Sequence, residues 1–272
     1  MKVLVLGSSG MIGFAIFKEL SKNRNLEVFG MSRNNKKLDL KKPKIYKENI
    51  RLLNPDVVIN CIGVIKQKKY NLNNLYAINS FFPHELDLLS KKFNFNLIHI
   101  STDCVFSGTK GFYNEDDKPD PVDNYGLSKY YGEMLENNNL TLRTSFIGHD
   151  NNHKEQLLEW FLLQENFCDG YLNAIYSGLT NVHFAEIINK IINQNCKLIG
   201  IYNISSEPIS KYDLLIKIAH IYNKDIKVIP LHDPKINRSL DSKKFTKETN
   251  IKIESWHKML LNMKLDYEYF KK

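Results

Sequence analysis

The stretch Met1-Lys-Val-Leu-Val-Leu-Gly7-Ser-Ser-Gly10-Met-Ile-Gly13 decides the fold of this chain. Its opening apolar run, Lys2 to Leu6, reads as a buried strand, and the residues from Met11 to about Lys22 read as a helix. The Gly-x-x-Gly-x-x-Gly spacing between them meets three needs: a tight strand-to-helix turn, a main chain that a pyrophosphate can approach closely, and close packing of helix on strand. Gly7, Gly10 and Gly13, with Met11 and Ile12 between them, are therefore expected at a dinucleotide. Glycines interrupt the apolar run, and Lys18-Glu19 follows without a small-residue cleavage site, so a secretory signal is not expected.

Further strand-like runs recur with helical stretches between them: Leu26 to Gly30, Val57 to Cys61, Leu97 to Ser101 and Thr141 to Thr144. This alternation predicts an α/β fold, a Rossmann-type doubly wound parallel sheet with a smaller C-terminal substrate-binding lobe. Pro55 limits the helix before β-branched Val57-Val58-Ile59, so that segment reads as a strand. Ligands in such sheets collect at the carboxyl ends of strands, within reach of Asn60-Cys61-Ile62-Gly63 and Ser101-Thr102-Asp103. Residues 1–148 are expected to form the dinucleotide-binding domain, and residues 149–272 mainly the smaller substrate-binding lobe, with some segments returning to the sheet. In that second half, helices are expected over Glu155 to Gln164, Asn181 to Gln194, Lys211 to Tyr222 and Glu254 to Met263. Short strands are expected over Gly200 to Ile204 and Ile226 to Ile229, and Ser210 is a candidate helix cap.

With 272 residues and 43% hydrophobic content, the chain can bury a substantial core. No apolar run approaches the ~20 residues of a membrane helix, so membrane insertion is not expected. Cys61, Cys104, Cys168 and Cys196 lie far apart without a C-x-x-C pair, so neither a zinc site nor a disulfide framework is indicated, and reduced thiols in a cytoplasm fit. The net charge of +8 is densest from Arg33 to Lys44 and carries no nucleic-acid module. It reads as a solvated basic surface that also attracts multiply anionic ligands. His149 and His153 have helical spacing for a metal, but Gly148 and Asp150-Asn151-Asn152 indicate a loop, and no metal is assigned.

The second deciding pattern is Tyr125-x-x-x-Lys129. Residues four apart share a helix face, and an ammonium beside a phenol favours the phenolate, lowering a pKa that is ordinarily about 10. That is general acid–base chemistry for a carbonyl and its alcohol. An ordinary surface pair has the same spacing, but Gly126 directly after Tyr125 and Ser101-Thr102-Asp103 on an upstream strand end add weight to the catalytic reading. At the end of the second strand, Gly30-Met31-Ser32-Arg33 offers a hydroxyl and a guanidinium and no carboxylate, which favours NADP(H) over NAD(H).

With Gly7 to Gly13, Asn60 to Gly63, Asn79, Ser101-Thr102-Asp103-Cys104-Val105-Phe106-Ser107-Gly108, Pro121 to Lys129 and Leu142-Arg143-Thr144-Ser145, the chain resembles the extended short-chain dehydrogenases/reductases. Within that superfamily it is similar to the dTDP-4-dehydrorhamnose reductase (RmlD-like) group of nucleotide-sugar 4-keto reductases. Weaker echoes continue in Gly200 to Ile204 and Asn237 to Asp241. The resemblance implies that Tyr125 gives the proton to the sugar keto oxygen and that Thr102 hydrogen-bonds the same oxygen. Lys129 would hold the nicotinamide ribose and lower the tyrosine pKa, and Asp103 would contact the sugar or assist proton movement. Cofactor contacts are implied at Gly7, Gly10, Met11, Ile12, Gly13, Ser32, Arg33, Asp39, Cys61, Ile62, Gly63, Asn79 and Lys129. Substrate contacts are implied at Val105, Phe106 and Arg238, whose guanidinium suits a diphosphate. Ser177-Gly178-Leu179-Thr180 and Lys211-Tyr212 are further positions toward the nucleotide-sugar, whereas Trp160 and Trp256 read as core or lobe-interface residues.

Cys104 departs from the rhamnose reductases, where an aromatic usually follows the aspartate, and this leaves the product sugar open. The expected function is NADPH-dependent reduction of a dTDP- or UDP-linked 4-keto nucleotide-deoxysugar in surface-polysaccharide sugar biosynthesis. The same resemblance admits a nucleotide-sugar epimerase with tightly bound NAD. It also admits a non-catalytic NADP-binding regulatory subunit, since the methionine adenosyltransferase regulatory subunit resembles the same reductases. A nucleotide-sugar is the expected partner, and a homodimer is one expected assembly.

Overall fold

Strand β1 (Lys2–Leu6) is apolar almost throughout, and its side chains alternate between two cores: Val3 and Val5 face one, Leu4 and Leu6 the other. A strand buried on both faces belongs in the middle of a sheet covered by helices on each side. That is its place in the computed structural model, which describes residues 1–33, 38–40, 42–65, 71–133, 139–150, 156–194 and 197–271. After β1 come α1 (Met11–Leu20), β2 (Glu27–Met31), α2 (Pro43–Leu53), β3 (Val57–Asn60), α3 (Leu72–Tyr76), a π-helical turn (Ala77–Phe81) and α4 (Phe82–Phe93). Then follow β4 (Asn96–Ile100), α5 (Asn124–Tyr130) and β5 (Leu140–Arg143).

The second half contains β6 (Phe146–Ile147), α6 (Leu157–Leu163), β7 (Phe167–Tyr171), β8 (Ala174–Tyr176), β9 (Leu179–Thr180), α7 (Asn181–Asn193) and β10 (Gly200–Asn203). It continues through β11 (Ile209–Ser210), α8 (Lys211–Tyr222), β12 (Lys227–Leu231), β13 (Ile236–Asn237), α9 (Lys243–Thr249) and α10 (Trp256–Lys271).

The main sheet has six parallel strands in the order β10-β5-β4-β3-β1-β2. Its order turns back at β1, where the chain goes first to β2 on one side and then to β3 on the other. This switch opens a crevice at the carboxyl ends of β1 and β3, where Leu6 is in register with Asn60. The second half of the chain also covers this sheet. β10 pairs with β5, and α7 lies along α1, where Asn189 donates to Glu19 at 3.2 Å and Asn23 donates to Asn193 at 2.6 Å. The remaining late strands form three small sheets, β11-β8-β13, β12-β7 and β6-β9.

Helix α8 has the expected bounds, and Ser210 caps it by accepting the Asp213 amide at 2.9 Å. Helix α10 runs past the expected end at Met263. Lys18 of α1 forms an ion pair with Asp266, and Lys264 donates to the Ile221 carbonyl at 2.9 Å, so tertiary contacts hold a segment with little apolar pattern of its own. Helix α6 begins at Leu157, and Glu155, the expected start, lies outside the described residues. Trp256 is buried, and its indole donates to the Glu207 carbonyl at 2.8 Å. Of the two places expected for Trp160, the core is excluded: Leu158 and Phe161 take the inward face of α6, leaving Trp160 37% exposed beside Leu157, Phe167 and Tyr171 on the rim of a cleft.

Candidate functional site

The nucleotide edge is built from close backbone approaches. Gly7 sits at φ +81°, a conformation that glycine tolerates and a β-carbon does not, and its amide donates to the Met31 carbonyl at 2.8 Å. A Cβ on Gly13 would stand 2.2 Å from the Gly7 carbonyl oxygen, so the start of α1 can press on the loop only without one. Gly10 caps α1 with no side-chain hydrogen bond, which leaves the free amides of the first helical turn open to an anion. The loop after β3 closes the other side, because a Cβ on Gly7 would meet Ile62 Cγ1 at 3.2 Å and the Cys61 carbonyl oxygen at 3.3 Å. These glycine cradles and open amides fit a dinucleotide pyrophosphate. Arg33, just past β2, is exposed, whereas Ser32 is buried and Asp39 half-buried.

Asn79, expected at the cofactor, is fully buried, and its amide is used within the protein. It accepts the Val64 amide at 2.8 Å and donates to the Val64 carbonyl at 3.1 Å and to Ser128 Oγ at 3.0 Å. It therefore ties the loop after β3 to α5. Its place on the π-helical turn aims the side chain inward.

The residues expected to react come from α5 and the turn after β4. Asp123 caps α5 by accepting the Gly126 amide at 2.8 Å. Thr102 accepts the Cys104 amide at 3.2 Å and donates to Asp103 Oδ1 at 3.2 Å, and the Tyr125 phenol lies near the same hydroxyl. Lys129, one turn beyond Tyr125, is buried and donates to the Ile100 carbonyl at 2.6 Å. The four catalytic candidates are thus in one place.

Their electrostatics correct one expectation. Burial, and after it the neighbouring Cys104, pushes the Tyr125 phenol above its ordinary value rather than below it. Lys129 is not among the main influences on that phenol, and its own charge is desolvated. Burial brings it down to about 8, against the pull of Glu133 and Cys61. Burial raises Asp103, and Arg238 and then Lys211 oppose that shift. Both cations arrive from the second half of the chain: Lys211 lies 3.7 Å over the Tyr176 ring, and Arg238 Nε donates to the Phe106 carbonyl at 2.8 Å. Lys211 is itself lowered to about 8 by burial.

Val105 and Phe106, expected at the substrate, are fully buried with Tyr113 and Leu240. The short helical turn Asp103–Val105 directs them inward, and Phe106 stacks on Tyr113 with ring centroids 4.2 Å apart. Ser177 and Thr180 are structural: Ser177 accepts the Leu240 amide at 3.0 Å, and Thr180 caps α7. His149 uses both ring nitrogens, on Glu159 at 2.7 Å and Tyr222 at 2.8 Å, while His153 lies outside the described residues. Among the described residues no group of His, Cys, Asp and Glu is arranged to hold a metal, and no helix is long and apolar enough to cross a membrane. Sequence reasoning missed Glu133 and His99. The signal for Glu133 was its spacing four residues after Lys129, whereas buried His99 carried none.

The dTDP-4-dehydrorhamnose reductase of Aggregatibacter actinomycetemcomitans is 28% identical over 293 residues, covering 97% of this chain and 98% of that protein. Methionine adenosyltransferase 2 subunit beta of Danio rerio is 32% identical over 138 residues, covering 48% of this chain and 42% of that protein. The crystal structure of dTDP-4-dehydrorhamnose reductase from Bacillus anthracis in complex with NADP superposes with a TM-score of 0.86 at 23% identity, over 97% of this chain and 99% of that one. The model of the RmlD substrate binding domain family matches residues 1–268, and the chain belongs to that family.

Proposed function

We propose that this protein is an NADPH-dependent reductase of a dTDP- or UDP-linked 4-keto nucleotide-deoxysugar, acting in surface-polysaccharide sugar biosynthesis. The observation that carries the reading is the convergence of Tyr125, Thr102 and Asp103 on one point beside the glycine-lined crevice. The near end-to-end match to a relative named dTDP-4-dehydrorhamnose reductase supports it over a regulatory subunit, because the match to methionine adenosyltransferase 2 subunit beta spans about half of this chain. Gly7, Gly10, Met11, Ile12, Gly13, Cys61, Ile62 and Gly63 would hold the dinucleotide, with Arg33 toward an adenosine phosphate.

Bound NADPH supplies hydride to the keto carbon. The chain supplies the proton and the field. A carbonyl oxygen that gains negative charge needs a donor still protonated at neutral pH, and burial keeps Tyr125 in that form. Thr102 orients the oxygen, and the ammonium of Lys129 stabilises the phenolate left behind. Arg238 would reach the anionic part of the substrate, while Lys211 and Arg238 favour the ionised form of Asp103. The test is the loss of NADPH absorbance with freshly made dTDP- and UDP-4-keto-6-deoxysugars, with Tyr125→Phe alongside. Turnover that disappears in the variant supports the reading. Protein that purifies with tightly held NAD and interconverts sugars without consuming NADPH would replace it with an epimerase.

A further inference from the structure

Beneath the reacting residues lies an ion pair that the mechanism above does not use. Arg143, the largest fully buried side chain, donates through Nε to Glu133 Oε1 at 2.7 Å and through Nη2 to Glu133 Oε2 at 2.6 Å. Both side chains are 2% exposed. Burying two charges is expensive, and apolar residues of the same volume often serve stability as well, so the pair calls for a reason other than stability.

Position supplies one. Glu133 follows α5 one turn beyond Lys129, and Ser101 Oγ donates to its Oε1 at 2.9 Å, while Lys129 donates to the carbonyl of the preceding residue, Ile100. The carboxylate and the ammonium are thus anchored on adjacent residues at the end of β4. Arg143, on neighbouring β5, holds the carboxylate from its far side, with its guanidinium carbon 5.1 Å from the Phe106 ring centroid. Phe106 in turn offers its carbonyl to Arg238. A bidentate fork fixes a carboxylate in orientation as well as in charge.

We propose that Glu133 and Arg143 are a positioning pair for the reaction: Arg143 and Ser101 lock the Glu133 carboxylate, and that carboxylate holds the Lys129 ammonium in place beside Tyr125. The inference rests on the proposed dehydrogenase chemistry at Tyr125 and Lys129, but its central claim concerns the charge on Lys129 and needs no substrate. The groups around Lys129 are Cys61 after β3, His99 and the Ile100 carbonyl on β4, and Glu133 just past the end of α5. Of these, Glu133 is the largest influence favouring the charged form, which burial has already weakened to a midpoint of about 8.

The experiment is an NMR titration of ¹³C-labelled lysine side chains in the full chain, with the Lys129 signal assigned by its loss in Lys129→Met. In Glu133→Gln the Lys129 midpoint is expected to fall by about one pH unit, the low end of what one adjacent opposite charge produces. The pH profile of kcat/KM for NADPH oxidation should move in the same direction. Should Glu133→Gln lack a cooperative melt, Ser101→Ala, which frees the carboxylate from β4 and keeps the ion pair, is read the same way, with a smaller fall expected. A Lys129 midpoint unchanged in the folded variant overturns the proposal, whatever happens to stability. A shifted midpoint in a protein that reduces no sugar would leave the positioning pair standing and remove the reductase reading.

Discussion

Gly126 lies so close to Cys104 that a Cβ added to the glycine would stand 2.2 Å from the Cys104 carbonyl oxygen. Helix α5 therefore rests directly on the turn that carries Thr102 and Asp103, and this contact sets the distance from Tyr125 to its partners. Gly126→Ala must push the helix outward. Overpacking of this kind destabilises by about 1–3 kcal/mol, and kcat should fall on the order of a hundredfold because the acid is misplaced. Chemical denaturation and steady-state kinetics on the same preparation read both effects, and a variant with wild-type kcat would contradict the geometry.

Removing the phenolic hydroxyl should affect only chemistry. Tyr125→Phe is expected to lower kcat by roughly 10²–10⁴ while NADPH binding, followed by fluorescence, stays within a few-fold of wild type. Equal losses in binding and turnover would indicate that Tyr125 serves to build the crevice.

Activity and stability should respond to alkali in opposite directions. Lys129 is charged below about 8 in the folded protein, whereas an ordinary lysine keeps its proton to about 10.5. Turnover that depends on that charge falls as pH rises through about 8. Across the same window the unfolded chain binds more protons than the folded one, so the contribution of this lysine to stability rises with pH. Lys211, with the same midpoint, adds to the second effect. Rate profiles and urea midpoints at matched pH values test this, and a rate that climbs through pH 9 would exclude a role for the Lys129 charge.

Acid should weaken the sheet through His99. It is fully buried, and its Nδ1 accepts the Asn60 amide nitrogen at 3.1 Å, which fixes it as a neutral ring. Burial, then Lys129, holds its pKa well below the ordinary 6.5. The unfolded chain takes up a proton below 6.5 and the folded one does not, so the stability this group contributes is present above that value and lost as pH falls below it. The loss builds as pH falls from about 6.5 toward 5. His99→Gln should show a shallower decline in melting temperature over that range, and parallel declines would exclude His99 as the source.

Cofactor choice should follow Arg33. Arg33→Ala is expected to raise the KM for NADPH about tenfold, the scale of one lost hydrogen bond to a charged group, with little change for NADH. Comparable changes for both cofactors would remove Arg33 from the phosphate.

The strands of the main sheet were legible because their apolar residues are contiguous, and α8 because a capping serine stands directly before an apolar-periodic run, whereas the short strands β6, β7, β8, β9, β11 and β13 were not read. The end of α10 was not, since its last turns are held by Lys18 and by the Ile221 carbonyl, both remote in sequence. Asn79, Val105 and Phe106 stand in stretches that match the family, yet their side chains turn inward. A motif gives a residue's neighbours in the chain and not the direction of its side chain.

The sequence by itself determined the parallel sheet, the glycine crevice and the placing of Tyr125 and Lys129 one turn apart on a helix, because each is a local pattern of spacing that a strand, turn or helix turns directly into geometry. Only the tertiary structure decided the protonation of the site and its second half. A buried phenol keeps its proton, and Lys211 and Arg238 reach Asp103 from segments remote in the chain. Burial and long-range charge are properties of the packed volume, and they exist only once the chain has folded.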